Sequence, residues 1–223
     1  TNTFAGENYD PEKNTRIICV STSNDFLHWT DPEPLICEDS PSEQLYTNNV
    51  QPYYRAPQIF VGFPTRYVNR GWSHSFLSLP DLEHRQRRMK FEPRFGTVVT
   101  DGLFMSSRDG RTFSRWNEPF FRAGIERKHN WLYGDCYANC GIIETAAEDS
   151  SAPPELSFYV EENHSKTNAE RTRRYTLRID GFVSASAART GGEIITKPIK
   201  FSGDQLSLNF TTTSVGGILV ELQ

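Results

Sequence analysis

The sequence predicts an all-β protein, and three observations support this. Short runs rich in Val, Ile, Phe and Tyr recur along the 223 residues, bounded by Gly, Pro, Asn and Asp, as half-buried strands and turns require. Helix-forming residues after a proline start occur in one stretch, residues 79–90. A turn motif of Ser, Asp and an aromatic residue also occurs twice in the sequence, which is typical of folds made from a repeated β unit.

The predicted strands follow one another from the N-terminus. They cover residues 17–21, 35–37, 57–63, 103–106, 120–122, 140–145, 156–161, 174–179, 193–195, 205–210 and 217–222. Two segments between them have the composition of loops. Residues 69–94 form a long insertion that includes the predicted helix, and residues 145–155 are small and acidic with paired prolines, which suits a surface connector.

Composition narrows the classes of function. The net charge of −4 leaves no basic face, so we expect no nucleic-acid partner. No apolar run has the length of a membrane span and the first residues do not resemble a signal peptide, so we expect no membrane partner. The four cysteines are too few for a disulfide framework and too sparse for zinc, which favours free or buried thiols at Cys19, Cys37, Cys136 and Cys140. We expect neither a metal nor a cofactor.

One basic run, "EHRQRRMKFEPR" at residues 83–94, stands out from this acidic background. A run of this kind is typical of a solvated loop or helix face. The alternative is a patch that binds phosphate or sulfate.

The repeated turn is the clearest motif. A Ser is followed two residues later by Asp and, after four more, by an aromatic residue: Ser23, Asp25 and Trp29 in "SNDFLHW", and Ser107, Asp109 and Phe113 in "SRDGRTF". A Ser and an Asp so spaced can bond backbone amides across a tight β-turn, while the aromatic ring packs on the sheet beneath. The two copies are about two blades of roughly 40 residues apart. Either an unmarked blade or the insertion at 69–94 separates them, and the paired inner strands of "YRAPQIFVGFPTRY" favour the insertion.

These turns, each followed by a strand that contains proline, resemble those of five-bladed β-propeller glycoside hydrolases. The resemblance is to the invertase-like and levanase-like family 32, to the related family 43 and, more loosely, to sialidases with their Asp-boxes. "YRAPQIFVGFPTRY", "WLYGDCYANCGIIET" and "RRYTLRIDGFVSASA" are similar to a bacterial branch of family-32-like proteins in which a propeller runs into a C-terminal β-sandwich. The resemblance implies a carbohydrate ligand. Localisation stays open, with an extracellular or periplasmic compartment favoured.

The resemblance also implies the domain organisation. Residues 1–179 correspond to a partial β-propeller of about two and a half blades, and residues 180–223 to part of a β-sandwich. A propeller or sandwich divided in this way has unpaired strand edges. We therefore expect pairing with further segments of the full protein, or a homo-oligomer.

Glycosidases of this architecture use two carboxylates that face each other across the sugar. In the invertase-like family a third carboxylate lies in an Arg-Asp-Pro motif, where this chain has Arg55, Ala56 and Pro57. The candidate catalytic residues are Asp135, which follows aromatic residues and a glycine, and Glu144 and Glu162, which end predicted strands. Asp101, before a glycine, is expected to be a turn residue.

Five further residues are candidates for substrate binding. Arg55 and Arg66 could clamp a carboxylate or sulfate, or form a salt bridge between blades. Trp131 and Tyr133 could stack on a sugar ring or pack in the core, and His164 could shuttle a proton or simply lie in a loop.

Two classes of function therefore compete. The first is a glycoside hydrolase whose carboxylate pair is Asp135 with Glu144 or Glu162. The second is a non-catalytic propeller and sandwich segment that binds carbohydrate or has a structural role. A separation of about 5 to 9.5 Å between two cleft carboxylates would favour catalysis.

Overall fold

The computed structural model describes residues 16–38, 40–163 and 170–222. Strands predominate over helices in this part of the chain, which confirms the all-β prediction. The strands are β1 (Cys19–Val20), β2 (Glu33–Pro34), β3 (Ile36–Glu38), β4 (Gln44–Tyr46), β5 (Gln51–Tyr53), β6 (Ala56–Gly62), β7 (Thr65–Asn69), β8 (Val98–Ser107), β9 (Thr112–Phe121), β10 (Tyr137–Ala138), β11 (Ile143–Thr145), β12 (Glu155–Glu162) and β13 (Arg171–Arg178). The helices are α1 (His74–Leu77), α2 (Leu82–Met89) and α3 (Arg94–Thr97). The chain divides into two compact units, Thr1–Phe182 and Val183–Gln223, and these elements all lie in the first.

Strand β8 is the centre of a seven-stranded sheet. On one side it pairs antiparallel with β9, and on the other with β6 and β7, which take successive parts of its length. Strands β5 and β4 pair in turn with β6 and β7, while β3 runs parallel along β9. In chain order this is a meander of β4–β5, β6–β7, β8 and β9, with β3 added at the outer edge.

The break between β6 and β7 follows from Pro64, which has no backbone N–H to donate to the ladder. The N–H of the preceding Phe63 instead donates to the carbonyl oxygen of Asn48 at 2.7 Å. Between β4 and β5, Thr47 and Asn49 have left-handed φ angles of 51° and 46°, which interrupt the extended backbone opposite Pro64. One long antiparallel pair of strands is thus divided into two shorter pairs, β4 with β7 and β5 with β6.

A second meander forms the four-stranded sheet around β12. Strand β13 pairs antiparallel with β12 along its length, and β10 and β11 pair with the two ends of its other side. The two sheets share one hydrophobic core. At its centre the ring of Phe63 lies 5.7 Å from those of Phe104 and Phe121 in the first sheet and 5.2 Å from that of Phe158 in the second.

The segment between β7 and β8 contains the three helices. Helix α2 confirms the helix predicted at residues 79–90, with narrower bounds. The remainder of the predicted 69–94 loop is partly helical as well, because the Ser73 hydroxyl accepts the N–H of Phe76 and caps α1. Between the two repeated turns the structure therefore has one meander with an insertion, and the described residues there form no second meander.

The Asp109 turn connects β8 and β9 through the hydrogen bonds expected from its sequence. One carboxylate oxygen of Asp109 accepts the backbone N–H groups of Arg111 and Thr112 at 2.8 and 2.7 Å, and the Ser107 hydroxyl at 2.8 Å. The Ser107 oxygen accepts in turn the N–H of Gly110 at 2.9 Å. Gly110 has a left-handed φ of 73°, which only glycine adopts without strain.

The Asp25 turn connects β1 and β2 with the same pattern. One carboxylate oxygen of Asp25 accepts the N–H groups of Leu27 and His28, both at 2.8 Å, and the Ser23 hydroxyl at 3.1 Å. The Ser23 oxygen accepts the N–H of Phe26 at 2.8 Å. Phe26 stands where the other copy has glycine and has a φ of 63°. Equal spacing of Ser and Asp thus gives equal turns even though the residue after Asp differs.

The aromatic residues of the two turns differ in burial. Phe113 is 1% exposed and packs in the core of the large sheet, as predicted. Trp29 is 53% exposed, so the prediction that it packs beneath a sheet is wrong for this copy. The reason is that β1 and β2 form a two-stranded ribbon, in which the Trp29 ring contacts Phe26 edge-on at 5.8 Å instead of a sheet.

The Asp109 turn makes stability depend on pH. The hydrogen bonds from Arg111 and Thr112 hold the pKa of Asp109 well below its ordinary value of about 4. The stability it contributes is therefore complete above pH 4 and is lost as the pH falls toward the folded-state pKa. Asp109→Ala should lower the melting temperature at pH 7, and the difference from the wild type should narrow below pH 4. Melting curves from pH 7 to pH 2 check this, with the exposed Glu118→Ala as a control; a constant difference would contradict it.

The second unit forms no strand among residues 183–222, where the structure shows only an isolated bridge between Ala188 and Gly191. The strands predicted at 193–195, 205–210 and 217–222, as part of a β-sandwich, are thus not formed. Leu206, Leu208 and Phe210 alternate with polar residues as a strand requires, yet they are 63%, 49% and 55% exposed. Alternation favours a strand, but a strand forms only against a partner strand. Pairing of this segment with a further chain stays a prediction.

Candidate functional site

Half-buried tyrosine and arginine side chains form a continuous surface on the first unit. We call it the tyrosine–arginine surface, and its members are Arg16, Tyr46, Tyr67, Arg88, Arg94, Phe95, Tyr133 and Tyr137. They come from β4, β7 and β10, from the insertion helices, and from the segments that precede β1 and β10. The first strands of both meanders, β4 and β10, therefore each contribute a tyrosine.

The register of β4 and β7 brings the first part of this surface together. Gln44 pairs with Tyr67 and Tyr46 pairs with Thr65, so these four side chains share one face. On the next strand Thr100 pairs with Tyr67. Because side chains alternate between the two faces of a sheet, these residues all point to the face on which the segment before β10 lies.

Thr100 fixes that segment on the sheet. Its hydroxyl donates to the carbonyl oxygen of Asp135 at 2.8 Å and accepts the N–H of Gly134 at 2.9 Å. Tyr133 consequently lies 6.1 Å from the ring of Tyr67, while Tyr137 lies 5.9 Å from the ring of Tyr46. The result is a row of aromatic rings across both sheets.

Three guanidinium groups lie over these rings. Arg16 is 5.2 Å from the ring centre of Tyr67, Arg94 is 5.1 Å from that of Tyr133, and Arg88 is 4.4 Å from that of Phe95. These distances are within the range of cation–π attraction. Cations that stack on rings expose N–H donors at their edges, which gives the surface both flat apolar area and positive charge.

The hydroxyls of Tyr67 and Tyr137 remain protonated at neutral pH. Burial raises the pKa of Tyr137, and its electrostatic interaction and hydrogen bond with Tyr133 act in the same direction. Burial also raises the pKa of Tyr67, although Arg16 and Arg94 oppose the shift. The surface therefore offers O–H donors beside its cations.

Asp135, a predicted catalytic residue, is 1% exposed beneath this surface. One of its carboxylate oxygens accepts the N–H of Asn163 at 2.6 Å and the other accepts the N–H of Leu132 at 3.2 Å. Burial raises the pKa of Asp135. These bonds hold a segment in which Trp131 and Cys136 have left-handed φ angles of 56° and 60°. The geometry gives Asp135 a role in positioning Tyr133 and Tyr137.

Glu162, the second candidate, directly precedes Asn163, whose backbone N–H donates to Asp135 at 2.6 Å. It is 7% exposed and accepts Arg171 Nε and Arg173 Nε, both at 2.7 Å, and the Tyr175 hydroxyl at 3.0 Å. Burial alone would raise the pKa of Glu162, but these hydrogen bonds outweigh it and the pKa is lowered. The structure thus brings two predicted carboxylates together, each bonded to protein groups.

Glu144 and Arg55 lie in a separate exposed cluster. The Tyr54 hydroxyl donates to Glu144. Arg55 Nε donates to Asp180 at 3.2 Å, and the hydroxyl of Tyr53 donates to the other oxygen of Asp180 at 2.7 Å. These contacts connect the turn between β5 and β6 to β11 and to the residues that follow β13.

Arg66 lies in a buried network of four charged side chains. Its guanidinium holds both carboxylate oxygens of Asp101, at 2.9 and 2.8 Å, and reaches Glu43 at 3.0 Å. Arg115 Nη2 lies 3.0 Å from the other oxygen of Glu43. The hydrogen bond that Arg66 donates to Asp101 is the main cause of the raised pKa of Arg66. The prediction that Asp101 is a turn residue is wrong, since it lies within β8 and is 8% exposed.

The two remaining candidates are Trp131 and His164. Trp131 packs against the hydrophobic cluster of Phe76, Leu79 and Val99, and its indole N–H donates to the carbonyl oxygen of Gly124 at 3.0 Å. His164 lies outside the described residues. Of the predicted binding residues, Tyr133 alone belongs to the tyrosine–arginine surface.

The other members of the surface were not predicted as site residues. Two sequence signals could have indicated some of them. One is the basic run at 83–94, which contains Arg88 and Arg94, and the other is the spacing of Gln44 and Tyr46, which are two residues apart and so share one face of a strand. In the part of the chain that the structure describes, no cluster of His, Cys, Asp and Glu could hold a metal ion. Over the same residues, none of the helices has the length and apolarity to cross a bilayer.

Comparison of the chain with models of protein families, with curated proteins and with solved structures gave no match. The tyrosine–arginine surface is therefore interpreted from its own geometry and chemistry.

Proposed function

We propose that this chain is part of a β-propeller protein, similar to glycoside hydrolase families 32 and 43, that binds carbohydrate on the tyrosine–arginine surface. The observation that carries the proposal is the row of half-buried tyrosine rings contributed by both meanders. Flat aromatic rings with polar tips suit the alternating apolar faces and hydroxyl groups of sugars. Protonated tyrosine hydroxyls and arginine N–H groups supply donors for those hydroxyls.

The arrangement of the meanders supports the propeller part of the proposal. Each repeated turn follows the third strand of its meander in this interpretation, with β1–β2 as the last two strands of a preceding blade. In a propeller the first strand of each blade lines the central channel, where ligands bind. Here the first strands β4 and β10 approach each other, with the Asn49 side chain donating to the carbonyl oxygen of Ala138 and with Tyr46 against Tyr137.

Replacement of Tyr133 tests the proposal directly. Tyr133→Ala removes a ring from the middle of the surface, so it should weaken oligosaccharide binding about tenfold, equivalent to about 1.4 kcal/mol. Tyr159→Ala, at a 39% exposed tyrosine on β12, is the matched control and should bind as the wild type does. Isothermal titration with a set of oligosaccharides measures both. Equal affinity of Tyr133→Ala and the wild type, or no binding by the wild type, would refute the proposal.

A glycoside hydrolase with Asp135 and Glu162 as its carboxylate pair is the second candidate. It is favoured by one observation, that Asp135 is bonded to the residue that follows Glu162 while the two carboxylates have different surroundings. Burial raises the pKa of Asp135, whereas the hydrogen bonds from two arginines lower that of Glu162. Opposite shifts are the arrangement that an acid and a base require. Burial of Asp135 and the two arginines on Glu162 weigh against access of a sugar to this pair.

Asp135→Asn separates the two functions. An asparagine presents an NH₂ group to one of the two N–H donors that Asp135 accepts, so we expect a loss of about 1–3 kcal/mol in the free energy of unfolding. We also expect that neither the wild type nor this variant hydrolyses glycosides. Denaturant unfolding and a broad screen of chromogenic glycosides measure the two effects. A variant of unchanged stability whose hydrolytic activity is abolished would favour the hydrolase instead.

A further inference from the structure

We infer that the carbohydrate bound on the tyrosine–arginine surface is acidic and carries carboxylate or sulfate groups. The inference rests on the proposed function and adds the chemical class of the ligand. It is based on the hydrogen-bond and ion-pair partners of Arg88 and Arg94, which belong to the basic run at 83–94.

Arg88 and Arg94 are half-buried, and they differ from three more deeply buried arginines of the described residues. Arg66 binds Asp101 and Glu43, Arg85 donates to the carbonyl oxygens of Trp131 and Asn130 at 2.6 and 2.7 Å, and Arg115 donates to that of Pro41 at 2.7 Å. The chain thus provides each of these three with oxygen acceptors.

Arg88 and Arg94 have aromatic rings beneath them and no such acceptor. Among the described residues neither makes an ion pair or a hydrogen bond with a protein oxygen, and Arg94 Nε is buried without a partner. Removing a cation from water costs free energy unless an anion or dipole replaces the water. The fold therefore leaves two partly desolvated guanidinium groups without a protein anion.

The balance of charge around the site is positive. Arg16 is the third cation, and its Nη1 donates to the neutral side chain of Gln44 at 2.9 Å. Among the described residues, none of the three guanidinium groups forms an ion pair with a carboxylate. They can therefore bind anionic groups of a ligand.

The geometry selects the type of anion. A guanidinium fork donates two parallel hydrogen bonds, which match the two oxygens of a carboxylate or of a sulfate. The neighbouring rings of Phe95 and Tyr133, 5.7 Å apart, provide a flat apolar area for the sugar itself. A uronic acid or a sulfated sugar combines both features in one residue.

The test compares three ligands of equal length: a polygalacturonate oligosaccharide, a sulfated oligosaccharide and a neutral cello-oligosaccharide. We expect at least one acidic ligand to bind about tenfold more tightly than the neutral one, and this preference to decrease from about 0.05 M to about 0.5 M NaCl. Arg88→Gln and Arg94→Gln should each weaken binding of the acidic ligand about tenfold and binding of the neutral ligand by no more than about threefold, since glutamine keeps an N–H donor and loses the charge. Arg122→Gln, at an exposed arginine outside the surface, is the control.

Arg94→Lys keeps the charge and removes the fork, so it should recover only part of the lost affinity; melting curves confirm that each variant is folded. Equal affinity for acidic and neutral ligands, unaffected by the arginine variants but reduced in Tyr133→Ala, would overturn this inference and leave the proposed function intact. Binding that Tyr133→Ala does not reduce would overturn the proposed function itself. Tighter binding of a single-stranded oligonucleotide than of either acidic sugar would also overturn the inference.

Discussion

Asp101→Ala is expected to lower the free energy of unfolding by about 3 kcal/mol, because it removes one partner from a buried ion pair. The side chains of Arg66 and Asp101 are 11% and 12% exposed, and both carboxylate oxygens accept hydrogen bonds from the guanidinium group. Without Asp101, Glu43 would remain as the carboxylate partner of both Arg66 and Arg115. The single negative charge of Glu43 would then face two positive charges that are largely removed from water.

Urea unfolding of the wild type and of the variant measures this loss. Glu118→Ala, which removes an exposed carboxylate from β9, is the matched control and should change the free energy by less than about 0.5 kcal/mol. A double variant, Arg66→Met with Asp101→Leu, should be more stable than Asp101→Ala because it leaves no unpaired charge in the pair. A loss as small as that of Glu118→Ala would show that the network contributes little.

Phe63→Ala should cost about 4 kcal/mol, within the range for deletion of a buried aromatic ring. The ring is 2% exposed and lies within 6.5 Å, between ring centres, of Phe104, Phe120, Phe121, Phe158 and Phe182. Because Phe158 belongs to the second sheet, the resulting cavity would separate the two meanders. In the wild type, dispersion attraction between the ring and its neighbours adds to the stabilisation from burying its apolar surface, and the variant loses both contributions.

Denaturant unfolding checks this value, and the slope with denaturant shows whether the two sheets still unfold together. Phe91→Ala, at a ring that is 84% exposed, should leave stability nearly unchanged. Phe63→Leu fills part of the cavity and should lose less than Phe63→Ala. A small loss for Phe63→Ala would mean that the two sheets do not depend on a shared core.

The sequence predicted those parts of the fold that are encoded locally. Strands β6, β8, β12 and β13 were recognised from their apolar and β-branched residues, and helix α2 from its proline start. The repeated turns were recognised because Ser and Asp bond amides only a few residues away. Strands β2, β4, β5 and β10 were missed, since they are short or contain polar residues and are defined by their partners.

The candidate site was predictable only in part, and Tyr133 shows why. Its aromatic neighbours in the sequence marked the segment, but its partners Tyr67 and Arg94 are distant along the chain. The predicted carboxylate Asp135 has an equally informative local sequence, yet the amides of Leu132 and Asn163 occupy its oxygens. A local pattern identifies a residue of interest and does not give the atoms that surround it.

The sequence alone determined an all-β chain, two equal turns and one helical insertion, because these features depend on hydrogen bonds and periodicities within a few residues. The tertiary structure decided how these parts function together. It paired Arg66 with Asp101, bonded Asp135 to the residue that follows Glu162, and set Tyr46 of one meander against Tyr137 of the next. It also left Leu206 and its neighbours exposed in a segment with a strand-like pattern. The physical reason is that burial and charge pairing depend on which strands become neighbours, and this is set by the packing of the whole chain.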